Sequence, residues 1–161
     1  MSGSGAPRTG AVDAAGLHVV VVAGTWHDTI TDGLIAGALR TIDAAGARST
    51  LVRVAGSFEL PVVCKRALEE GADAVVALGV IIRGGTPHFD FVAAAATDGL
   101  TRVALDTGKP VGFGVLTLDD EAQGLDRAGL PGSREDKGNE AADAAMRTAI
   151  VLRELAASAR A

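Results

Sequence analysis

The segment Arg83-Gly84-Gly85-Thr86-Pro87-His88 carries the densest chemistry in the chain. Two adjacent glycines let a backbone approach a ligand closely. Thr86 and Pro87 read as the N-cap and first residue of a helix, and the free N–H groups of a helix start favour an anion. A phosphate on Gly84, Gly85 and Thr86 is one reading; a plain turn leading into a helix is the other. The segment is not a Walker loop, because no Gly-Lys-Ser/Thr follows, and it is not a dinucleotide fingerprint. His88 falls in the first helical turn, where an imidazole can move protons near neutral pH. A structural hydrogen bond is the alternative use of that histidine.

Other reactive or stacking side chains stand at similar places. Trp26 is the only tryptophan and sits in a turn, where its face can stack on a heteroaromatic ring or simply pack. Ser57, Phe58 and Glu59 follow another turn, and Glu59 can accept hydrogen bonds from ligand hydroxyls or favour a helix start. Phe113 falls in a late strand and Thr117 just past its end. Arg127 and Lys137 lie on a charged late segment, where many such residues are only solvated. Cys64 reads as a buried helix residue. His18 and His27 show no partner pattern and read as structural or exposed.

The elements that must position these residues alternate. Leu17 to Ala23, Thr50 to Ala55, Ala74 to Ile82 and Pro110 to Leu116 are short, apolar and largely β-branched, as buried strands are. Between them Ile30, Leu34, Ala38 and Ile42 recur at helical spacing after Asp28, a candidate N-cap. Leu60 to Glu70 is helical, and Val92, Ala96, Leu100 and Val103 mark the buried face of the helix after Pro87. An acidic turn or short helix follows Thr117. An Ala-rich helix runs from about Glu135 to Ala157, with Ala142, Ala145, Ala149, Leu152 and Leu155 on one side. Strand–helix alternation predicts an α/β three-layer sandwich, with a small parallel four-stranded sheet between helices. Ligands of such sheets bind outside the carboxyl ends of the strands, where the residues named above gather.

Composition sets the outer limits. The chain has 161 residues, 48% apolar and 22% charged, which suits one domain with a real core. Aromatics are 3%, so the core is built from Val, Leu, Ile and Ala. A net charge of −5 argues against general nucleic-acid binding. One cysteine leaves no internal disulfide and no paired-cysteine zinc site. No apolar run reaches the roughly 18–20 residues of a membrane span, and residues 1–16 read as a flexible arm ahead of a domain over 17–161. No targeting segment is evident, which points to the cytoplasm.

Several segments, in order, resemble the lumazine synthase family, whose fold is flavodoxin-like. Gly56-Ser57-Phe58-Glu59-Leu60-Pro61 resembles its Gly-x-x-Glu-x-Pro element, and Leu78 to Phe91 resembles its longest block. Gly114-Val115-Leu116-Thr117, Asp126-Arg127-Ala128-Gly129, and Lys137-Gly138 with Glu140-Ala141-Ala142 follow in family order. The resemblance covers Leu17 to Leu155. It implies condensation of 5-amino-6-(D-ribitylamino)uracil with 3,4-dihydroxy-2-butanone 4-phosphate, the penultimate step of riboflavin biosynthesis, with no metal or organic cofactor. It implies that Trp26 stacks on the pyrimidine and that Ser57, Phe58 and Glu59 hold the ribityl chain. By the same resemblance, Val80, Ile81 and Ile82 are expected to present backbone groups beside the ring. It further implies that Gly84, Gly85, Thr86 and Arg127 bind phosphate, that His88 transfers protons, that Phe113 closes the pocket and that Lys137 stands nearby.

The resemblance also implies a homo-oligomer, with Phe113 and Arg127 supplied by the neighbouring subunit and a functional link to riboflavin synthase. Pentamers are implied, and in some members twelve pentamers in a capsid. The loop between Gly129 and Lys137 looks longer than in capsid formers, which favours a free pentamer. Trp26 replaces a common phenylalanine, and Asp136 a common asparagine. A flavin or lumazine carrier on the same scaffold would keep Trp26 and Glu59 but could dispense with His88 and Arg127. A purely structural shell would need no phosphate loop.

Overall fold

The computed structural model describes residues 10–160. Its elements are β1 (His18–Ala23), α1 (Asp28–Ala44), β2 (Arg48–Arg53), a 3-10 turn (Ser57–Glu59), α2 (Leu60–Glu69), β3 (Ala74–Ile82), α3 (His88–Thr107), β4 (Val111–Leu118), α4 (Glu121–Leu125) and α5 (Lys137–Ser158). All strand pairs are parallel, in the order β2-β1-β3-β4. The first part of the expected N-terminal arm, residues 1–9, lies outside the described residues. Within the rest of it, Val12 packs on the core and the N–H of buried Ala14 donates to Ala45 O at 2.8 Å.

The two faces of the sheet explain the apolar runs. Side chains alternate along a strand, so Val19, Val21 and Ala23 face α1 and α5, while Val20 and Val22 face α2 and α3. With both faces covered, β3 is buried along nearly its whole length, as a central parallel strand must be. This is the α/β three-layer, flavodoxin-like arrangement.

Small residues bring the helices close. A Cβ on Gly138 of α5 would collide with the backbone carbonyl of Leu34 in α1, so the two helices touch backbone to backbone there. The buried stripe of α5 ends early, however. Ala142, Ala145 and Ala149 are buried, but Leu152 and Leu155 on the same side are exposed, because the helix runs on past the core. Val92, expected on the buried face of α3, is only partly covered, while Ala96, Leu100 and Val103 are buried.

Two helix starts differ from expectation. Asp28 is not the cap of α1: it is the first helical residue, and its carboxylate accepts from the Thr29 amide at 2.8 Å. The cap position is His27, in the left-handed conformation at φ 55°, because the chain must reverse sharply after Trp26. Helix α3 starts one residue later than expected, at His88, with Pro87 at the cap and no side-chain cap bond from Thr86. Among the described residues, no helix is long and apolar enough to cross a membrane.

Candidate active site

The carboxyl rim of the sheet is stepped. β1 stops at Ala23, which is level with Leu78, and Gly24 N–H closes the pairing on Leu78 O at 3.0 Å. β3 continues to Ile82, paired only with β4. In a strand, backbone N–H and C=O groups of alternate residues point to opposite sides. Leu78 faces β1, and Arg83 faces β4 through its N–H to Leu118 O at 2.8 Å. Val80 and Ile82 share the parity of Leu78, so their backbone groups point into the gap that β1 leaves. Ile81 is on the β4 side. Of the three residues expected to present backbone groups, two therefore face the side from which β1 has withdrawn.

Two loops frame this gap. Trp26 follows β1, and its loop is pinned by Thr31 Oγ1, which donates to Trp26 O at 2.7 Å, and by Thr25 Oγ1, which donates to Ala55 O at 2.9 Å. Both bonds tie the β1 loop to fixed structure, and the indole stays 68% exposed. Gly56 lies between Trp26 and Glu59: a Cβ there would sit 3.5 Å from the indole and 3.4 Å from Glu59 Oε2. An exposed aromatic face and a carboxylate therefore border one bare backbone position. Ser57 is buried against Gly79 of β3, where a Cβ would fall 2.5 Å from its hydroxyl, while Phe58 is exposed. The 3-10 turn thus seats Ser57 on the sheet and turns Phe58 outward.

The Arg83–His88 segment crosses the rim from β3 to α3. Gly84 and Gly85 have no positive φ, and a Cβ on either would meet no atom of the chain within 4 Å. Neither turn geometry nor packing within the chain calls for glycine there, so the backbone of this loop is bare on its open side. His88 opens α3, is exposed and, among the described residues, makes no side-chain hydrogen bond. The structural use of this histidine is therefore not the one observed.

Arg127 and Lys137 come together around a residue that sequence reasoning did not single out. Glu135 Oε2 lies 3.0 Å from Lys137 Nζ and 3.9 Å from Arg127 Nε. Arg127 also donates to Gln123 O at 2.8 Å, and Lys137 pairs with Glu140 at 2.7 Å. Burial pulls the Lys137 pKa down, but hydrogen bonds and charges from Glu140 and Glu135 more than offset it and raise the pKa overall. Lys137 is thus a fixed cation and not a base. The signal for Glu135 was its place two residues before Lys137 on a hairpin-like return, where Lys137 N–H donates to Arg127 O.

Phe113 does not join the rest. It pairs with Ala77 and lies five positions before Leu118, about 16 Å back from the rim of its own sheet at the usual strand rise. Its ring is 48% exposed on the outer strand β4. Within one chain the structure therefore gathers Trp26, Ser57, Phe58, Glu59, Val80, Ile82 and the Gly84–His88 loop, and leaves Phe113 apart.

A sequence profile of the 6,7-dimethyl-8-ribityllumazine synthase family matches residues 16–153. A protein of that name from Leifsonia xyli subsp. xyli is 74% identical, covering 96% of this chain and 99% of its own length. Those from Clavibacter sepedonicus and Streptomyces avermitilis are 67% and 58% identical, each over 96% of this chain and 98% and 97% of their own. A family profile that spans most of the chain and relatives this similar over nearly their full length show that this chain belongs to the 6,7-dimethyl-8-ribityllumazine synthase family.

Proposed function

We propose that the chain condenses 5-amino-6-(D-ribitylamino)uracil with 3,4-dihydroxy-2-butanone 4-phosphate to give 6,7-dimethyl-8-ribityllumazine, with release of phosphate and water. The 5-amino nitrogen attacks the ketone carbon and the carbinolamine loses water to form a Schiff base. Phosphate then leaves as a proton is lost from the adjacent carbon. The enol so formed tautomerises to a ketone, and the ribityl-bearing nitrogen closes the ring on that new carbonyl, with loss of a second water. The enzyme is a transferase of riboflavin biosynthesis. Holding two reactants together contributes most in such a reaction, with proton transfer adding a smaller factor.

The observation that carries this reading is the rim itself: an aromatic–carboxylate frame, a gap of free backbone groups and a bare double-glycine loop share one edge of one sheet. We assign the pyrimidine to the gap, stacked on Trp26 and hydrogen-bonded by the Val80 and Ile82 backbones beside Ile81. Glu59, seated with Ser57 and Phe58, accepts from the ribityl hydroxyls. Gly84, Gly85 and Thr86 take the phosphate. His88, exposed beside that loop, moves protons as the Schiff base forms and phosphate leaves. Lys137, a permanent cation, adds positive potential next to Arg127.

Arg127 and Phe113 complete the site from a neighbouring subunit. What supports this is the separation of Phe113 from its own chain's rim and its exposure on an outer strand. The assembly is a homo-pentamer, closed by rotational symmetry, and its product passes to riboflavin synthase. The reduced, buried Cys64 suits a cytoplasmic setting. The test is product formation: purified protein is mixed with both substrates, and lumazine absorbance is followed against a protein-free control. Saturable acceleration is expected. Tight binding of lumazine without acceleration would instead make the chain a carrier.

A further inference from the structure

Arg83 is the one cation inside the phosphate loop segment, and its position beside Gly84 invites assignment as a phosphate ligand. Its side chain is already engaged on three sides. Nε lies 3.3 Å from Asp119 Oδ1, just past the end of β4. Nη1 lies 3.5 Å from Asp90 Oδ1, in the first turn of α3. The guanidinium carbon stands 4.1 Å above the ring of Phe89, whose ring packs on the core between the sheet and α2–α3. Its backbone N–H extends the β3–β4 ladder onto Leu118 O. Asp119 is itself held, because its amide donates to Gln123 Oε1 at 3.0 Å.

These contacts join the two ends of the loop. The chain leaves β3 at Arg83, passes through Gly84, Gly85, Thr86 and Pro87, and enters α3 at His88. Phe89 and Asp90, immediately beyond, fold back onto Arg83. A loop with two glycines and no internal side-chain bond is entropically soft. A clasp between its first residue and the helix that follows restricts the positions available to the amides between them. Exposed ion pairs contribute little singly, but one planar guanidinium shared among two carboxylates and a ring fixes a geometry.

We propose that Arg83 is a positioning residue for the phosphate site: clasped to Asp119, Asp90 and Phe89, it sets the spacing between the Gly84–Thr86 amides and His88 and does not itself bind phosphate. The inference rests on the assignment of Gly84–Thr86 to the phosphate. Misplacement of a binding loop by about an ångström can cost up to about a hundredfold in rate, so the effect is measurable.

The two roles for Arg83 give opposite signs in one variant. Asp119→Asn removes a carboxylate partner. If Arg83 positions the loop, this variant weakens inorganic phosphate as an inhibitor and raises the KM for the butanone phosphate, each by about tenfold, with the KM for the pyrimidine unchanged. If Arg83 is a ligand held back by Asp119, the same variant frees it and phosphate binds more tightly, which would overturn the proposal. Arg83→Ala should reproduce the weakening, and Arg83→Lys, which keeps the charge and one pairing but not the fork, should recover part of it. Wild-type inhibition by phosphate in Arg83→Ala would also overturn it. Gly84→Ala, measured alongside, separates the causes. If it weakens phosphate while Arg83→Ala does not, only the role of Arg83 fails; if neither does, the phosphate assignment fails with it.

Discussion

Gly84→Ala tests the site at its least protected point. The added methyl meets no atom of the chain within 4 Å, and the backbone angle is one that alanine accepts. On the fold alone, the substitution removes freedom from the unfolded chain and stabilises by about 0.4–1 kcal/mol. For a chain of this size that raises Tm by about 1–4 °C. If a phosphate occupies the open space, the methyl stands between it and the loop amides. Losing one hydrogen bond to a charged group costs about 1.5–3 kcal/mol, which is about 10–150-fold in affinity. The assay pairs a thermal melt with initial rates at varied butanone phosphate and fixed, saturating pyrimidine. Expected are an equal or higher Tm, a KM for the phosphate substrate raised by about tenfold or more, and little change for the pyrimidine. An unchanged KM would refute the phosphate loop, and a Tm several degrees lower would show that the glycine serves the fold after all.

His88→Ala should lower kcat while leaving pyrimidine binding close to wild type, as titration calorimetry would report; a wild-type rate would remove the proton-transfer role. Arg127→Ala should raise the KM for the butanone phosphate. Mixed assemblies of Arg127→Ala and His88→Ala chains should regain activity, since some sites would then carry neither substitution; no recovery would place both residues in one chain's site. Gly138→Ala should destabilise by about 1–3 kcal/mol despite the better helix propensity of alanine, because its methyl collides with the Leu34 carbonyl; denaturant unfolding reads this. Burial pushes the Cys64 thiol up to about 12. It should therefore resist a thiol reagent at mildly alkaline pH until the protein is denatured, and because the unfolded thiol ionises first, stability should decline as pH rises above about 9.

The elements were legible because each carries its own period. The β-branched runs of β1 and β3, buried on both faces, and the three-to-four spacing of Ile30, Leu34, Ala38 and Ile42 are visible without any tertiary knowledge. Helix starts were less so. Asp28 and Thr86 have capping side chains, but the turn at His27 and the half-helical Pro87 set the boundaries instead, and both depend on where the preceding strand ends. The lengths of the strands mattered in the same way. That β1 ends four residues short of β3, leaving Val80 and Ile82 facing a gap, follows from register, which no single strand encodes. The clasp of Arg83 on Asp119 joins residues 36 positions apart, and Glu135 gains its meaning only when Arg127 and Lys137 fold back on it. The residues of the candidate site could be named from local sequence, whereas the partners that hold them in place could not.

The chain contains no tyrosine and one tryptophan, and that tryptophan stands exposed at the mouth of the gap. Its intrinsic fluorescence therefore arises almost wholly from one indole, at the proposed pyrimidine site. Any guest stacking there quenches or shifts nearly the entire signal, with no background from the rest of the fold. The protein thus carries its own optical reporter: occupancy, exchange rates and stoichiometry can be followed on the unlabelled protein. Thr31 and Thr25 hold the backbone on either side of this indole, so the reporter is carried on a fixed anchor.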